Sequence, residues 1–118
     1  AWGYDDNQGK PCLDVDPWYG NSFHNGIVYN SQSGAFDSKG TRKFHVHIHP
    51  GSKNGKGGTG IPSSTDYKMA SKIQSNYYII SKRDGLIQYV PDKNSAKIGE
   101  GKYYKPINYI PKSLKKYR

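Results

Sequence analysis

The sequence predicts a small α+β domain in which a mixed or antiparallel sheet carries one main helix. Residues 43–49 alternate strictly between polar and apolar side chains, which is typical of a half-buried strand. Residues 63–74 follow a helix start signal and carry apolar side chains at helical spacing. Residues 77–81 and 86–90 flank a turn and predict a hairpin. Strands on both sides of a single helix favour the α+β class.

The composition supports a single domain with a modest core. The chain has 118 residues, of which 33% are hydrophobic. Eleven tyrosines supplement this core, because a tyrosine ring can pack while its hydroxyl stays at a polar edge. Such half-buried faces suit a small sheet better than a helical bundle.

The beginning of the chain carries weaker signals. Residues 1–25 are rich in Gly, Asp, Asn and Pro without a clear period, so we expect an irregular N-terminal arm anchored by Trp2 and Trp18. Residues 26–29 predict a short strand, which the turn-forming residues 30–34 bring to an end.

The strand at residues 43–49 gives the clearest pattern in the chain. Its apolar residues share one face and its histidines share the other: Phe44, Val46 and Ile48 against His45, His47 and His49. Pro50 ends the strand, and the five glycines of residues 51–60 predict a mobile basic loop that is not held in the core.

The helix that follows begins at Ser63, whose hydroxyl can cap it after Pro62. Beyond the predicted hairpin, residues 103–110 predict an edge strand interrupted by Pro106. We describe residues 103–118 together as a basic C-terminal tail of the same domain, which spans 1–118.

Eighteen Lys and Arg against nine Asp and Glu give a formal charge of +9. A positive field attracts acidic proteins and nucleic acids.

Cys12 is the single cysteine, which excludes an intrachain disulfide and a cysteine-based zinc knuckle. No apolar run reaches the roughly 18 to 20 residues of a membrane span.

A candidate metal site lies between the best strand and the helix. His47 and His49 occupy positions i and i+2 of a strand, so both imidazoles project from one face. Asp66 lies in the first turn of the next helix, after a loop long enough to return it to the sheet. Two histidines and a carboxylate with an open position suit Zn²⁺, which lowers the pKa of bound water to about 7. A zinc hydrolase is therefore the first hypothesis.

These residues carry a family resemblance. The sequence here resembles the His-x-His-Pro…Ser-x-x-Asp signature of the JAMM (JAB/MPN) metalloproteases. The matching residues are His47-Ile48-His49-Pro50, followed by Pro62-Ser63-Ser64-Thr65-Asp66. The predicted hairpin is similar to the strands that follow the helix in that family, so the resemblance covers residues 26–90. It is especially similar to the JAB-like domains at the C-terminal ends of bacterial polymorphic toxins.

The resemblance implies a JAB/MPN-like fold and a zinc-dependent hydrolase of amide or isopeptide bonds. His47, His49 and Asp66 would be the zinc ligands, and Ser63 would orient water or stabilise the oxyanion. His45 matches no ligand of the family and is expected to contact the substrate or to support the ligands.

The same resemblance implies the toxic tip domain of a bacterial effector, secreted or delivered into a target cell as part of a larger protein. A chain that begins at Ala1 fits a C-terminal fragment of such a protein. The protein substrate or the immunity protein that it meets would be acidic.

The sequence departs from the family pattern at the general base, because its single glutamate is Glu100, far downstream of the metal motif. The family position falls at residues 23–25, where His24 is the titratable side chain. Asp14 and Asp16 are alternatives, and a metal scaffold without full activity is another.

Two further functions stay open from the sequence. Ser63 and Asp66 also form a capping box, which needs no metal. A basic nuclease toxin would use His24 and the histidine face of the strand as acid and base, with the positive charge holding RNA or DNA. A non-catalytic metal-binding module is the remaining alternative.

Overall fold

Six strands form one mixed sheet in the part of the chain that the computed structural model describes, which comprises residues 1–15, 39–49, 51, 58–72, 75–90 and 103–117. The strands are β1 (Trp2–Asp6), β2 (Pro11–Asp14), β3 (Gly40–His49), β4 (Asn76–Ser81), β5 (Gly85–Tyr89) and β6 (Tyr104–Ile107). Their order across the sheet is β2-β1-β3-β4-β5-β6. β3 and β4 run parallel, and the other neighbouring pairs are antiparallel. A mixed sheet with a helix agrees with the predicted α+β class.

The helix α1 (Ser64–Lys72) connects β3 to β4. Parallel neighbours need such a crossover, because a tight turn can join only antiparallel strands. The helix begins with a capping box: the Asp66 backbone N–H donates to Ser63 Oγ at 3.1 Å, and the Ser63 N–H donates to Asp66 Oδ2 at 2.7 Å. The predicted helix is therefore confirmed, with Ser63 as its cap.

The core on the histidine face of the sheet lies between β-strand side chains and α1. Its buried members are Trp2, Ala70, Tyr77, Ile79, Ile87 and Tyr89. Half of these side chains are aromatic, and their rings meet edge-on or tilted, as with Tyr77 and Tyr89 at 5.5 Å between centroids. Tyrosine side chains thus fill part of the core of a chain with few aliphatic residues.

The opposite face carries a second core, formed by Phe44, Tyr78 and Tyr117. The Tyr117 ring lies 5.1 Å from the Phe44 ring, and its hydroxyl donates to Asp5 Oδ1 at 2.7 Å. The description of residues 103–118 as a basic tail is therefore wrong for this part. The Tyr117 side chain near the chain end packs on the sheet, while Lys112, Lys115 and Lys116 beside it are exposed.

The prediction of an irregular arm over residues 1–25 is also wrong for its first part, because β1 and β2 form a hairpin within the sheet. Trp2 is 1% exposed, since its ring packs against His45 at 4.6 Å between centroids. Asp6 fixes the turn by accepting hydrogen bonds from the backbone N–H groups of Gln8 and Lys10. Trp2 is the predicted anchor, whereas Trp18 lies outside the described residues.

The later strands agree with the sequence. The predicted hairpin is β4 and β5, and the predicted edge strand is β6. The backbone N–H of Val90 donates to Tyr103 O, so Pro106 falls at an alternate position whose backbone points away from β5. A proline there costs the sheet no hydrogen bond and blunts the edge.

Other predictions fall partly or wholly outside the described residues. The strand at 26–29 and His24 lie outside them, as do residues 52–57 of the glycine-rich loop. Gly58 and Gly60 of that loop are buried, and the Arg83 N–H donates to Gly58 O at 3.0 Å. The expectation that nothing holds the loop to the core is wrong for this end of it.

Within the described residues, no helix has the length and apolar character needed to cross a membrane.

Candidate metal centre

Three side chains that the sequence assigns to a metal converge at the end of β3. His47 and His49 project from one face of the strand, with their Nε2 atoms 3.0 Å apart. Asp66 reaches both from the first turn of α1, at 3.1 Å from Oδ1 to His47 Nε2 and 3.3 Å from Oδ2 to His49 Nε2. The structure thus brings together the whole predicted ligand set.

The spacing of these atoms fits a metal ion. Ligand atoms about 2.0 to 2.1 Å from a tetrahedral zinc lie about 3.3 Å from one another. The two imidazole nitrogens lie 3.0 Å apart, and each lies 3.1 to 3.3 Å from a different oxygen of the Asp66 carboxylate; one ligand atom from each residue lies within 4.8 Å of the others. Among the described residues, His47, His49 and Asp66 form the group of three or more His, Cys, Asp or Glu side chains that could hold a metal ion.

The orientation of Asp66 comes from the capping box. Asp66 is 4% exposed, and Oδ2 accepts the Ser63 N–H while facing His49. The capping and metal-binding interpretations of this aspartate are therefore compatible. The cap holds the carboxylate in the rotamer that presents it to the two imidazoles.

The orientation of His49 comes from a backbone carbonyl. His49 Nδ1 lies 2.9 Å from Thr59 O, and a carbonyl only accepts hydrogen bonds, so Nδ1 carries a proton. In the neutral ring, Nε2 then presents a lone pair toward Asp66 and His47. A second proton on His49, a proton on His47 Nε2 or a metal ion at this point offsets the repulsion between these acceptors.

Mutual contact sets the protonation of the three groups. Burial favours the neutral acid, yet hydrogen bonds from His47 and His49 outweigh it and hold the pKa of Asp66 well below its usual range. Burial lowers the pKa of His47, although its hydrogen bond with Asp66 acts in the other direction. The hydrogen bond with Asp66 raises the pKa of His49. An ionised Asp66 beside a neutral His47 is the state that ligates a metal.

His45 does not line the accessible site. It is 1% exposed, enclosed by Trp2 and Tyr77, and its ring lies 5.5 Å from that of His47. Burial lowers its pKa well below the ordinary value, so the ring is neutral. The expected contact with substrate is therefore wrong, because the hairpin of β1 and β2 brings Trp2 over this side chain. His45 packs behind His47 instead.

Ser63 lies at the exposed margin of the site. Its Oγ accepts the Asp66 N–H at 3.1 Å, and the hydroxyl keeps its own proton to donate elsewhere. The predicted role of a donor beside the metal is compatible with this placement.

The candidates for a general base divide into two groups. His24, Asp16 and Glu100 lie outside the described residues. Asp14 lies on the edge strand β2, two strands from β3, and its carboxylate pairs with Lys39 Nζ at 3.0 Å. The order of the strands places Asp14 away from the metal ligands.

Sequence reasoning missed Thr59, because it acts through its backbone carbonyl and any residue type offers one. It also treated Asp84 as a turn former only, whereas the Asp84 carboxylate accepts the Gly60 N–H at 2.6 Å. The glycines at 58 and 60 permit this close backbone approach, but their presence in the sequence does not identify the partner.

Comparisons with protein-family models, with curated proteins and with solved structures found no match. The functional argument therefore depends on the residues of the site.

Proposed function

We propose that the protein is a zinc-dependent hydrolase of amide or isopeptide bonds, with a JAB/MPN-like fold, that acts as the toxic tip domain of a larger bacterial effector. The observation that carries the proposal is the convergence of two imidazole nitrogens and a carboxylate with separations of 3.0 to 3.3 Å. Two histidines and one carboxylate with an open position are the protein ligands of several catalytic zinc sites. The order His-x-His then Ser-x-x-Asp supports the JAMM resemblance.

The residues would divide the chemistry between them. His47, His49 and Asp66 would hold zinc, which supplies Lewis acidity to acidify water and polarise a carbonyl group. Ser63 would donate its hydroxyl proton to the oxyanion that develops when the amide carbon is attacked. Thr59 keeps the His49 ring in the orientation that faces Asp66.

A general base is still required, and we assign it to His24. Its place before the predicted strand corresponds to the position of the catalytic glutamate in the family. A neutral histidine accepts a proton at neutral pH and can return it to the leaving amine.

A basic nuclease is the second candidate, favoured by the formal charge of +9. This hypothesis loses one of the histidines to which it assigns acid or base catalysis, since His45 is 1% exposed and cannot reach a nucleic acid. A non-catalytic metal-binding module shares the metal site and differs only in lacking activity.

Inducible expression in bacteria tests the proposal. We expect the wild-type protein to arrest growth, and the variants His49→Ala and Asp66→Asn to lose this effect at equal expression. Asp14→Ala, which changes a partly exposed carboxylate remote from the site, should behave as wild type. Growth arrest that persists without the metal ligands, or arrest accompanied by degradation of RNA or DNA by the purified protein, would contradict the proposal.

A further inference from the structure

The Thr59 carbonyl that orients His49 is held in place on both sides. The Gly58 carbonyl accepts the Arg83 N–H at 3.0 Å, and the Gly60 N–H donates to Asp84 Oδ2 at 2.6 Å. Both partners belong to the turn between β4 and β5. The turn therefore grips the backbone immediately before and immediately after Thr59.

The two glycines allow this close approach. Gly58 has a φ of 70°, in the left-handed region that side chains rarely adopt. A side chain at Gly60 would overlap Ile87 of β5. Residues 58–60 thus lie against the turn between β4 and β5 and against Ile87, with little freedom to shift, and a change in the turn is transmitted to the Thr59 carbonyl.

Asp84 is itself anchored to the sheet. Its backbone N–H donates to Ser81 Oγ at 2.8 Å, and Ser81 is 5% exposed at the end of β4. Ser81 is also the register partner of His49 in the parallel pair of β3 and β4. A chain of hydrogen bonds therefore leads from β4 through Asp84 and the 58–60 backbone to His49 Nδ1.

We propose that Asp84 is a positioning residue for the metal centre, whose carboxylate holds the Thr59 carbonyl where it fixes the Nδ1–H form of His49 and directs Nε2 at the metal. This inference rests on the proposed metal-binding function. Groups that orient a metal-bound histidine through its other nitrogen commonly contribute about 10-fold to 100-fold to metal affinity.

The test compares Asp84→Ala with Asp84→Asn, whose amide oxygen can still accept the Gly60 N–H. Asp14→Ala serves as the control for the loss of a carboxylate remote from the site. We expect Asp84→Ala to weaken zinc binding about 10-fold to 100-fold in a chelator competition. Asp84→Asn should retain most of the affinity and Asp14→Ala all of it. Unchanged zinc affinity in Asp84→Ala would overturn the inference.

A second readout uses the metal-free protein. Long-range ¹H–¹⁵N spectra above the histidine pKa values report which His49 nitrogen carries the proton, and Asp84→Ala should lose the Nδ1–H form that the wild type shows. If Asp84→Ala does not fold, Ser81→Ala, which releases the Asp84 backbone N–H, should give the same change to a smaller extent. Retention of the wild-type tautomer in the folded variants would overturn the inference. Absence of zinc binding in the wild type would instead contradict the proposed function, and the tautomer measurement would still test the hydrogen-bond chain.

Discussion

His47 Nε2 and Asp66 Oδ1 lie 3.1 Å apart, although one side chain belongs to β3 and the other to α1. The pair lies at the carboxyl end of β3, where the chain leaves the sheet and the crossover helix begins. Ligand sites in sheets with parallel strands form at such ends, because the loops and helix starts there can face one another. The parallel pairing of β3 with β4 thus brings the ligands together.

Asp66→Ala and Ser63→Ala should separate the cap of α1 from the metal ligand. Ser63→Ala removes the acceptor of the Asp66 N–H and should lower the free energy of unfolding by about 1 kcal/mol, with zinc still bound. Asp66→Ala should lower it similarly and also abolish zinc binding. Denaturant unfolding and zinc titration of both variants check this. Equal loss of zinc in the two variants would show that the carboxylate matters only as a cap.

The metal-free protein should lose stability as the pH falls below about 6.5, the ordinary histidine pKa. Burial lowers the pKa of His45 and of His47 in the folded state, so below this pH the unfolded chain binds protons that the folded chain does not. The contribution of these two histidines to the free energy of unfolding is complete above the ordinary pKa. It is lost as the pH falls toward the pKa values that they have in the folded state. His49, with a raised pKa, contributes in the opposite direction: its part is present at low pH and is lost as the pH rises through its folded value.

Melting temperatures between about pH 5 and pH 8 measure this balance across the histidine range. His45→Phe keeps a ring against Trp2 and should flatten the dependence. A wild-type protein that becomes more stable on acidification would contradict the assignment of a neutral His45.

Gly60→Ala should destabilise the protein by about 1 to 3 kcal/mol, because the added methyl group overlaps Ile87 and forces the backbone to shift. The shift also moves the Thr59 carbonyl, so zinc affinity should fall. Gly51→Ala is the matched control, since a side chain there meets only Lys82 at an ordinary contact distance of 3.5 Å. Thermal melting and zinc competition of the two variants check the prediction. Equal behaviour of the two would contradict it.

His24→Ala should reduce activity by about a hundred-fold or more if His24 is the general base. Zinc content and melting temperature should stay near the wild-type values, because the residue is not a ligand. Growth arrest and zinc analysis of the same variant check this. If His24→Ala has little effect, the assignment of the base is wrong, and Glu at position 23 or 24 should then be tested for a gain in activity.

The parts of the fold that sequence could predict are those with local signals. Alternation in β3 and the Ser63 cap of α1 are visible within a few residues. β1 was missed because Gly3, Asp5 and Asp6 disfavour a strand locally. Burial of Trp2 over His45 and pairing with β3 outweigh that preference, and both depend on contacts distant in sequence.

The candidate site divides in the same way. The ligands His47, His49 and Asp66 follow from residue type and spacing. The roles of the Thr59 carbonyl and of Asp84 could not be predicted from the sequence. Any residue offers a backbone acceptor, and an Asp-Gly pair predicts a turn whether or not the carboxylate binds the Gly60 N–H. The burial of His45 depends on Trp2 and was equally beyond local reasoning.

Zinc stoichiometry of the purified protein tests the central claim most directly. Metal analysis of protein from zinc-replete medium should give close to one zinc per chain for the wild type and for Asp14→Ala. His47→Ala, His49→Ala and Asp66→Ala should each lose it, because three protein ligands are the usual minimum for such a site. A wild-type protein without zinc, or ligand variants that retain it, would contradict the account.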